Sequence, residues 1–404
     1  MLDLSHLCRT EGKLTLTQIR SHPFTIAIVA GESSGDQLGA SLIHQIKTME
    51  PDTEFVGVGG ALMAAEGFPE SYDMETLSVN GFFDPILRLP SLIKLMLKLR
   101  KEIIRRRPSC FVGIDSNFFN LMLAGFLKKK GIKTIQYVSP SIWAWRQGRV
   151  KKIARSVDLV LTLYPFEAIV FRENSVKAEF VGHPIASEYL NIDYDTLKKD
   201  ARRDLKISPD NKVVAILPGS RRSEVSTSGK DFLETALELR EHVDKFLIPA
   251  ANPKRYQQLF SMLGDFPELQ GKVRLLRGNS KKVMSASDAV LVNSGTATLE
   301  AMLLRKPMVM SYRLGKLSHL LVSKLVRTDL FALPNILAGE KIVPEFLQDE
   351  AEPKKMAKAI RRFLGRSEQD ELFARYHELH SELCGSGVSR DEASRAVLKF
   401  CKEN

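Results

Sequence analysis

Residues 24–30 read FTIAIVA, and this apolar run stops abruptly at Gly31-Glu32-Ser33-Ser34-Gly35-Asp36 before apolar residues resume at Leu38, Leu42, Ile43 and Ile46. A short continuous apolar run followed by a glycine turn and then apolar residues at helical spacing is the pattern of a strand buried on both faces that feeds a helix. The rhythm returns at 55–58, 110–114, 134–138, 159–163 and 179–181. After a polar stretch at 188–210 it restarts at 213–217, 245–249, 273–276, 289–292 and 308–310. Strands that alternate with helices build parallel sheets covered on both faces. The fold class expected is therefore α/β, with two Rossmann-like doubly wound domains facing a central cleft, where the strand C-termini meet ligand.

The division expected is an N-terminal extension at 1–22, a first domain at 23–187, a second at 188–380, and a C-terminal helical segment at 381–404 that packs on either domain or on a partner. With 44% hydrophobic and 26% charged residues the chain is neither disordered nor fibrous. No apolar run reaches the roughly 18 residues of a membrane span. Cys8, Cys110, Cys384 and Cys401 show no CxxC spacing, and His22, His44 and His183 show no ligand spacing, so neither a metal nor another cofactor is expected. A reducing cytoplasm suits such cysteine usage. The net charge of +11 calls for an acidic partner: nucleic acid, anionic lipid or a phosphorylated substrate.

Several residues stand where chemistry would need them. Leu217-Pro218-Gly219-Ser220-Arg221 breaks a strand at a turn whose N–H groups lie beside a guanidinium, which suits a diphosphate or is an ordinary turn with a surface arginine. Ser294-Gly295-Thr296 begins a helix after another strand, so it is either an anion site or a helix cap. Glu300, a turn later, either accepts hydrogen bonds from a ribose or complements the helix dipole. Asp115 directly follows the strand at 110–114 and is either a proton acceptor or a cap. His183, in Val181-Gly182-His183-Pro184, either positions a loop or contacts diphosphate. Residues 80–108 combine Phe82, Phe83, Ile86, Leu87, Leu89, Leu92, Ile93 and Met96 with eight cations from Arg88 to Arg107. That composition fits an anionic membrane surface, an acyl-chain groove, or core packing with a basic outer face. Nucleic acid is disfavoured, because no aromatic residues interleave the charges after Phe83.

Taken together, AGESSGDQLG (30–39), FVGVGG (55–60), VGID (112–115), YVSPSIWAWR (137–146), VGHP (181–184), LPGSR (217–221), SGTATLE (294–300) and TDLFALPNILAG (328–339) resemble the lipid-A-disaccharide synthases, collinearly over about residues 24–400. The resemblance implies a GT-B fold and an inverting glycosyltransferase that works without metal, peripherally, on the cytoplasmic face of the inner membrane. Its reaction joins UDP-2,3-diacylglucosamine to 2,3-diacylglucosamine 1-phosphate and releases UDP. It also implies roles: Asp115 as general base, Glu32, Ser34, Asp36 and Asn120 on the acceptor side, and Arg221, Ser294, Gly295, Thr296, Glu300 and Asn335 around UDP. A homodimer is left open.

Two blocks depart from the family pattern. Where the family reads GIDAPDFN this chain reads GIDSNFFN, with Phe118 in place of the second carboxylate. The family's GGPRM-like turn is Gly59-Gly60-Ala61-Leu62-Met63, without its arginine. Both changes fall on the acceptor side. Two further readings therefore stand beside the first: a related UDP-sugar-dependent transferase with another lipid acceptor, and a non-catalytic membrane-associated UDP-sugar-binding protein.

Overall fold

The computed structural model describes residues 24–403 other than 70–71, 73, 75–76, 78–83, 116, 141–147, 314–328, 366–368 and 386–390, and excludes the side chains at 33, 84–89, 117 and 148–149. The extension at 1–22, Phe82, Phe83, the side chains of Ile86, Leu87 and Leu89, and most of the YVSPSIWAWR block lie outside the described residues.

Two six-stranded sheets form, each parallel throughout. The first contains β1 (Thr25–Ala30), β2 (Glu54–Val58), β3 (Cys110–Ile114), β4 (Lys133–Tyr137), β5 (Leu159–Thr162) and β6 (Ala178–Phe180), in the order β2-β1-β3-β4-β5-β6. The second contains β7 (Val213–Leu217), β8 (Lys245–Ala250), β9 (Val273–Arg277), β10 (Ala289–Asn293), β11 (Met308–Tyr312) and β12 (Glu345–Leu347), in the order β9-β8-β7-β10-β11-β12. The winding reverses between β1 and β3 in one sheet and between β7 and β10 in the other. At such switch points the loops diverge and leave a crevice. The four strands that flank the two crevices are those that end in GESSGD, GID, LPGSR and SGTATLE.

Alternation along β1 explains the continuous apolar run. Ile26, Ile28 and Ala30 pack on one face with Ile43 and Ile46, while Ala27 and Val29 pack on the other with Leu99, Ile103 and Phe111. Gly39 allows the helix Ser33–Met49 to approach the turn at 59–63, since a Cβ there would stand 2.5 Å from Met63 Sδ. The helix Gln369–Leu383 seats Tyr376 and Leu379 in the second core, whereas the helix Glu392–Lys402 seats Val397 and Phe400 in the first. The chain thus crosses back, and Lys133 Nζ secures it by donating to the carbonyls of Phe400 (3.1 Å) and Cys401 (3.4 Å). No described helix is long and apolar enough to cross a membrane.

Candidate active site

On the first wall, Asp115 follows β3 in the left-handed region, at φ 50°. Aspartate tolerates that conformation better than most residues, yet it persists only where neighbours enforce it. Here the Asp115 N–H donates to the Tyr137 carbonyl (3.0 Å), and its carbonyl accepts from Asn120 Nδ2 (2.9 Å) and Gln136 Nε2 (3.2 Å). Ser34 Oγ donates to Asp115 Oδ2 at 3.3 Å. The helix Asn117–Lys128 begins two residues later, and the carboxylate itself remains directed at the Ser34 loop. Glu32 sits nearby: burial first and the Asp115 charge second push its carboxyl up, while Arg221 from the opposite wall draws it down.

Two residues of the expected acceptor side are built into the scaffold. Asn120 is fully buried, and its Nδ2 also donates to the carbonyls of Val29 and Ile114, both at 3.1 Å. It ties the two strands at the switch point together and so positions Asp115 from behind. Asp36 is also buried, and its carboxylate accepts from the N–H groups of Gly60 (2.8 Å), Leu62 (3.0 Å) and Met63 (3.1 Å). Three backbone donors engage that carboxylate in holding the 59–63 turn.

On the second wall the LPGSR turn is not an empty nest. Gly219 adopts φ 120°, and a Cβ there would approach Glu224 Cβ to 2.5 Å. Glu224 Oε2 accepts from the N–H groups of Ser220 (2.9 Å) and Arg221 (3.1 Å), and its Oε1 lies 3.2 Å from Arg221 Nη1. The chain's own carboxylate satisfies these donors, which leaves the exposed Arg221 guanidinium as this loop's contribution to an anion. The signal that locates Glu224 is its position three residues after the helix cap, the spacing of a capping box. Asn293, buried at the end of β10, donates from Nδ2 to the Pro218 carbonyl (3.1 Å) and joins the two loops.

The helix Thr296–Leu303 has Gly295 at its cap and no side-chain cap. Neither Ser294 nor Thr296 therefore fills the cap, and Ser294 Oγ instead donates to the Phe331 carbonyl at 3.3 Å. An uncapped helix start presents orphan N–H groups and a partial positive charge. Glu300 is half-buried, and desolvation pushes its carboxyl up, Lys281 opposing and Glu188 reinforcing the shift. Asn335 spends its side chain within the chain. It is fully buried, with Nδ2 donating to the Val343 carbonyl (2.9 Å) and Glu345 Oε1 (2.8 Å), and Oδ1 accepting from the Ile342 and Val343 N–H groups, both at 2.9 Å.

A cavity of about 990 Å³ brings Ser34 and Asp115 together with Ser294, Gly295, Thr296 and Glu300. A second, of about 470 Å³, shares Ser294, Gly295 and Thr296 and extends past Arg221 and Glu224. The residues that meet here come from opposite sheets. Among the described residues no cluster of metal ligands is present.

A model of the lipid-A-disaccharide synthetase family matches residues 26–398. The chain belongs to that family. Lipid-A-disaccharide synthases from Erwinia tasmaniensis and Azotobacter vinelandii are 44% and 45% identical to it, over 94% and 92% of this chain and 99% and 96% of theirs. As a family member the chain is a glycosyltransferase of lipid A biosynthesis. Its fold is shared with a UDP-GlcNAc 2-epimerase from Neisseria meningitidis (TM-score 0.58, 14% identity, 94% of this chain and 99% of that one). It is shared also with the MurG of Acinetobacter baumannii (TM-score 0.53, 12% identity, 88% and 95%). The synthetase thus has a GT-B fold.

In the synthetase the helix Asp84–Arg106 divides the apolar residues expected at a membrane. Met96 is buried and Leu92 packs against the same core, as Leu95, Leu99 and Ile103 do, so core packing claims one face. Ile93 is 48% and Leu97 58% exposed, so these face outward. Phe118, 75% exposed, and the partly exposed Met122 and Phe126 recur at four-residue spacing on the helix Asn117–Lys128, and Arg100 lies 5.1 Å from the Phe126 ring centre.

Proposed function

We propose that the synthetase transfers the diacylglucosaminyl group of UDP-2,3-diacylglucosamine to the 6-hydroxyl of 2,3-diacylglucosamine 1-phosphate, giving the β(1→6) disaccharide 1-phosphate and UDP. The observation that carries this reading is the single cavity in which Asp115, from one sheet, faces the uncapped helix start at Ser294–Thr296, from the other. Asp115 accepts the proton of the 6-hydroxyl as that oxygen attacks the donor's anomeric carbon. The bond to the diphosphate breaks on the opposite side, and its electron pair leaves on UDP. Developing charge on the diphosphate is met by the helix start and by Arg221, and fixed donors of this kind each typically contribute ~10²–10³ in rate. Glu300 lies beyond the helix start, where its carboxylate suits the ribose hydroxyls.

The purified enzyme in detergent micelles, given both substrates, is expected to release UDP in step with a disaccharide of the summed mass less UDP. UDP binding without disaccharide would reject this acceptor and direct attention to Leu62 and Phe118, at the two departures from the family pattern. Substrates with acyl chains also give the outward Ile93 and Leu97 a purpose, next to Lys94, Lys98 and Lys101. The enzyme is expected to co-sediment with vesicles containing anionic phospholipid, less so as salt rises. Serine at both positions removes two apolar side chains, each about 1.5–3 kcal/mol if buried in lipid, so binding should weaken by about tenfold or more. Unchanged sedimentation would remove this face from the membrane contact.

A further inference from the structure

The 990 Å³ cavity poses an electrostatic problem for a diphosphate. Among the described residues its lining includes the carboxylates of Asp115, Glu167, Glu188 and Glu300 and no lysine or arginine. Arg221 belongs to the adjoining cavity. A leaving group that gains negative charge here has Arg221 only from the adjoining cavity and otherwise draws on neutral donors, of which the helix start at Thr296 is one.

His183 lines the same cavity. Its Nδ1 accepts from the Ile185 N–H at 3.3 Å and caps the short helix Pro184–Ser187. An imidazole that accepts at Nδ1 carries its proton on Nε2, and Nε2 has no hydrogen-bond partner among the described residues. Burial lowers the ring to about 4, so it stays neutral through the physiological range. The ring is also held in place. Its centre lies 5.5 Å from that of Tyr164, the backbone N–H of His183 donates to the Leu383 carbonyl (2.9 Å), and Pro184 fixes the next residue.

We propose that His183 is a fixed, neutral hydrogen-bond donor, through Nε2–H, to the diphosphate of the bound UDP-sugar. The proposal rests on the UDP-sugar reading of the cleft and adds a named donor to it. No proton moves at His183: Asp115 takes the acceptor's proton, the anomeric bond's electron pair goes to the diphosphate, and the Nε2–H bond strengthens as that charge develops. A neutral donor suits this position, because with the cleft empty it leaves no buried cation to be compensated.

The discriminating variant is His183→Asn. Asparagine is a good helix cap and retains an oxygen for the Ile185 N–H, but it is too short to present a donor where Nε2 lies. Compared with wild type, His183→Asn is expected to keep its melting midpoint and lose ~10²–10³ in kcat, with a much smaller change in KM. His183→Ala should lose as much activity and some stability as well, through the lost cap. In the wild type, saturating UDP is expected to move the His183 Nε2–H proton resonance downfield. Retention of kcat within about threefold by His183→Asn, or an Nε2–H resonance that UDP leaves unmoved, would overturn the proposal. Failure of the wild type to bind UDP at all would remove the UDP-sugar reading, and His183's role with it.

Discussion

Asp115→Asn is expected to lower turnover by ~10²–10⁴, the usual contribution of a positioned general base, while UDP binding and the melting midpoint stay close to wild type. Asparagine is the informative replacement. It keeps the shape of the side chain, a partner for Ser34 Oγ, and a residue type that tolerates the left-handed backbone at this position. What it removes is a carboxylate able to take a proton. Alanine would add conformational strain and blur the result, since a drop in folded fraction would mimic a drop in rate. The comparison should be made at saturating donor and acceptor, so that kcat reports the chemical step. Activity within tenfold of wild type would move the role to Glu32, a second carboxyl at this wall, which is close enough to Asp115 and Arg221 to feel both charges. Asp36 is the weaker alternative, because three backbone N–H groups already engage its carboxylate.

The strands were legible because a parallel sheet buried on both faces leaves continuous apolar runs, and β1, β3, β7 and β10 each show one that ends in a glycine or small polar turn. Strand order was not legible. No local pattern says that β3 pairs with β1 or that β10 pairs with β7, yet that pairing is what sets the four motifs beside two crevices. Residue type was likewise a better guide to location than to role. Asp36, Asn120 and Asn335 all stand in motifs near the cleft, but the hydrogen bonds they make go largely to backbone groups supplied by other segments, one of Asn120's to Val29, 91 residues away. A motif residue that binds ligand and one that holds the binding loop leave the same trace in a single sequence. Glu224 shows the converse: its capping-box spacing was present in the sequence, and only the folded turn shows that its carboxylate occupies the N–H groups beside Arg221.

Asn335→Ala is expected to act on stability before it acts on nucleotide. The side chain is wholly buried and uses both amide hydrogens and both lone pairs, so its removal orphans the Val343 N–H and carbonyl, leaves the Ile342 N–H only its 3.1 Å bond to the Glu340 carbonyl, and takes one contact from Glu345. A buried polar group left unsatisfied costs ~1–3 kcal/mol, and even if water reaches some of these groups the sum should be about 3 kcal/mol or more. Glu345 retains the N–H groups of Phe331 (2.9 Å) and Ala332 (2.7 Å), so the segment loosens rather than detaches. A two-domain chain need not unfold in one step, so the sharper measurement is hydrogen exchange: the Val343 amide, and to a smaller extent that of Ile342, should lose protection well ahead of β7 and β10. The effect on UDP should be second-hand and smaller. Phe331, whose carbonyl receives Ser294 Oγ, and Leu333, whose N–H donates to Thr298 Oγ1 at 3.1 Å, connect this knot to the helix start that faces the cleft. A variant with wild-type protection at 342 and 343 that nevertheless loses UDP would reverse the assignment and make Asn335 a ligand contact. Loss of protection with nucleotide affinity changed by only a few-fold is the outcome expected of a residue that braces the loop.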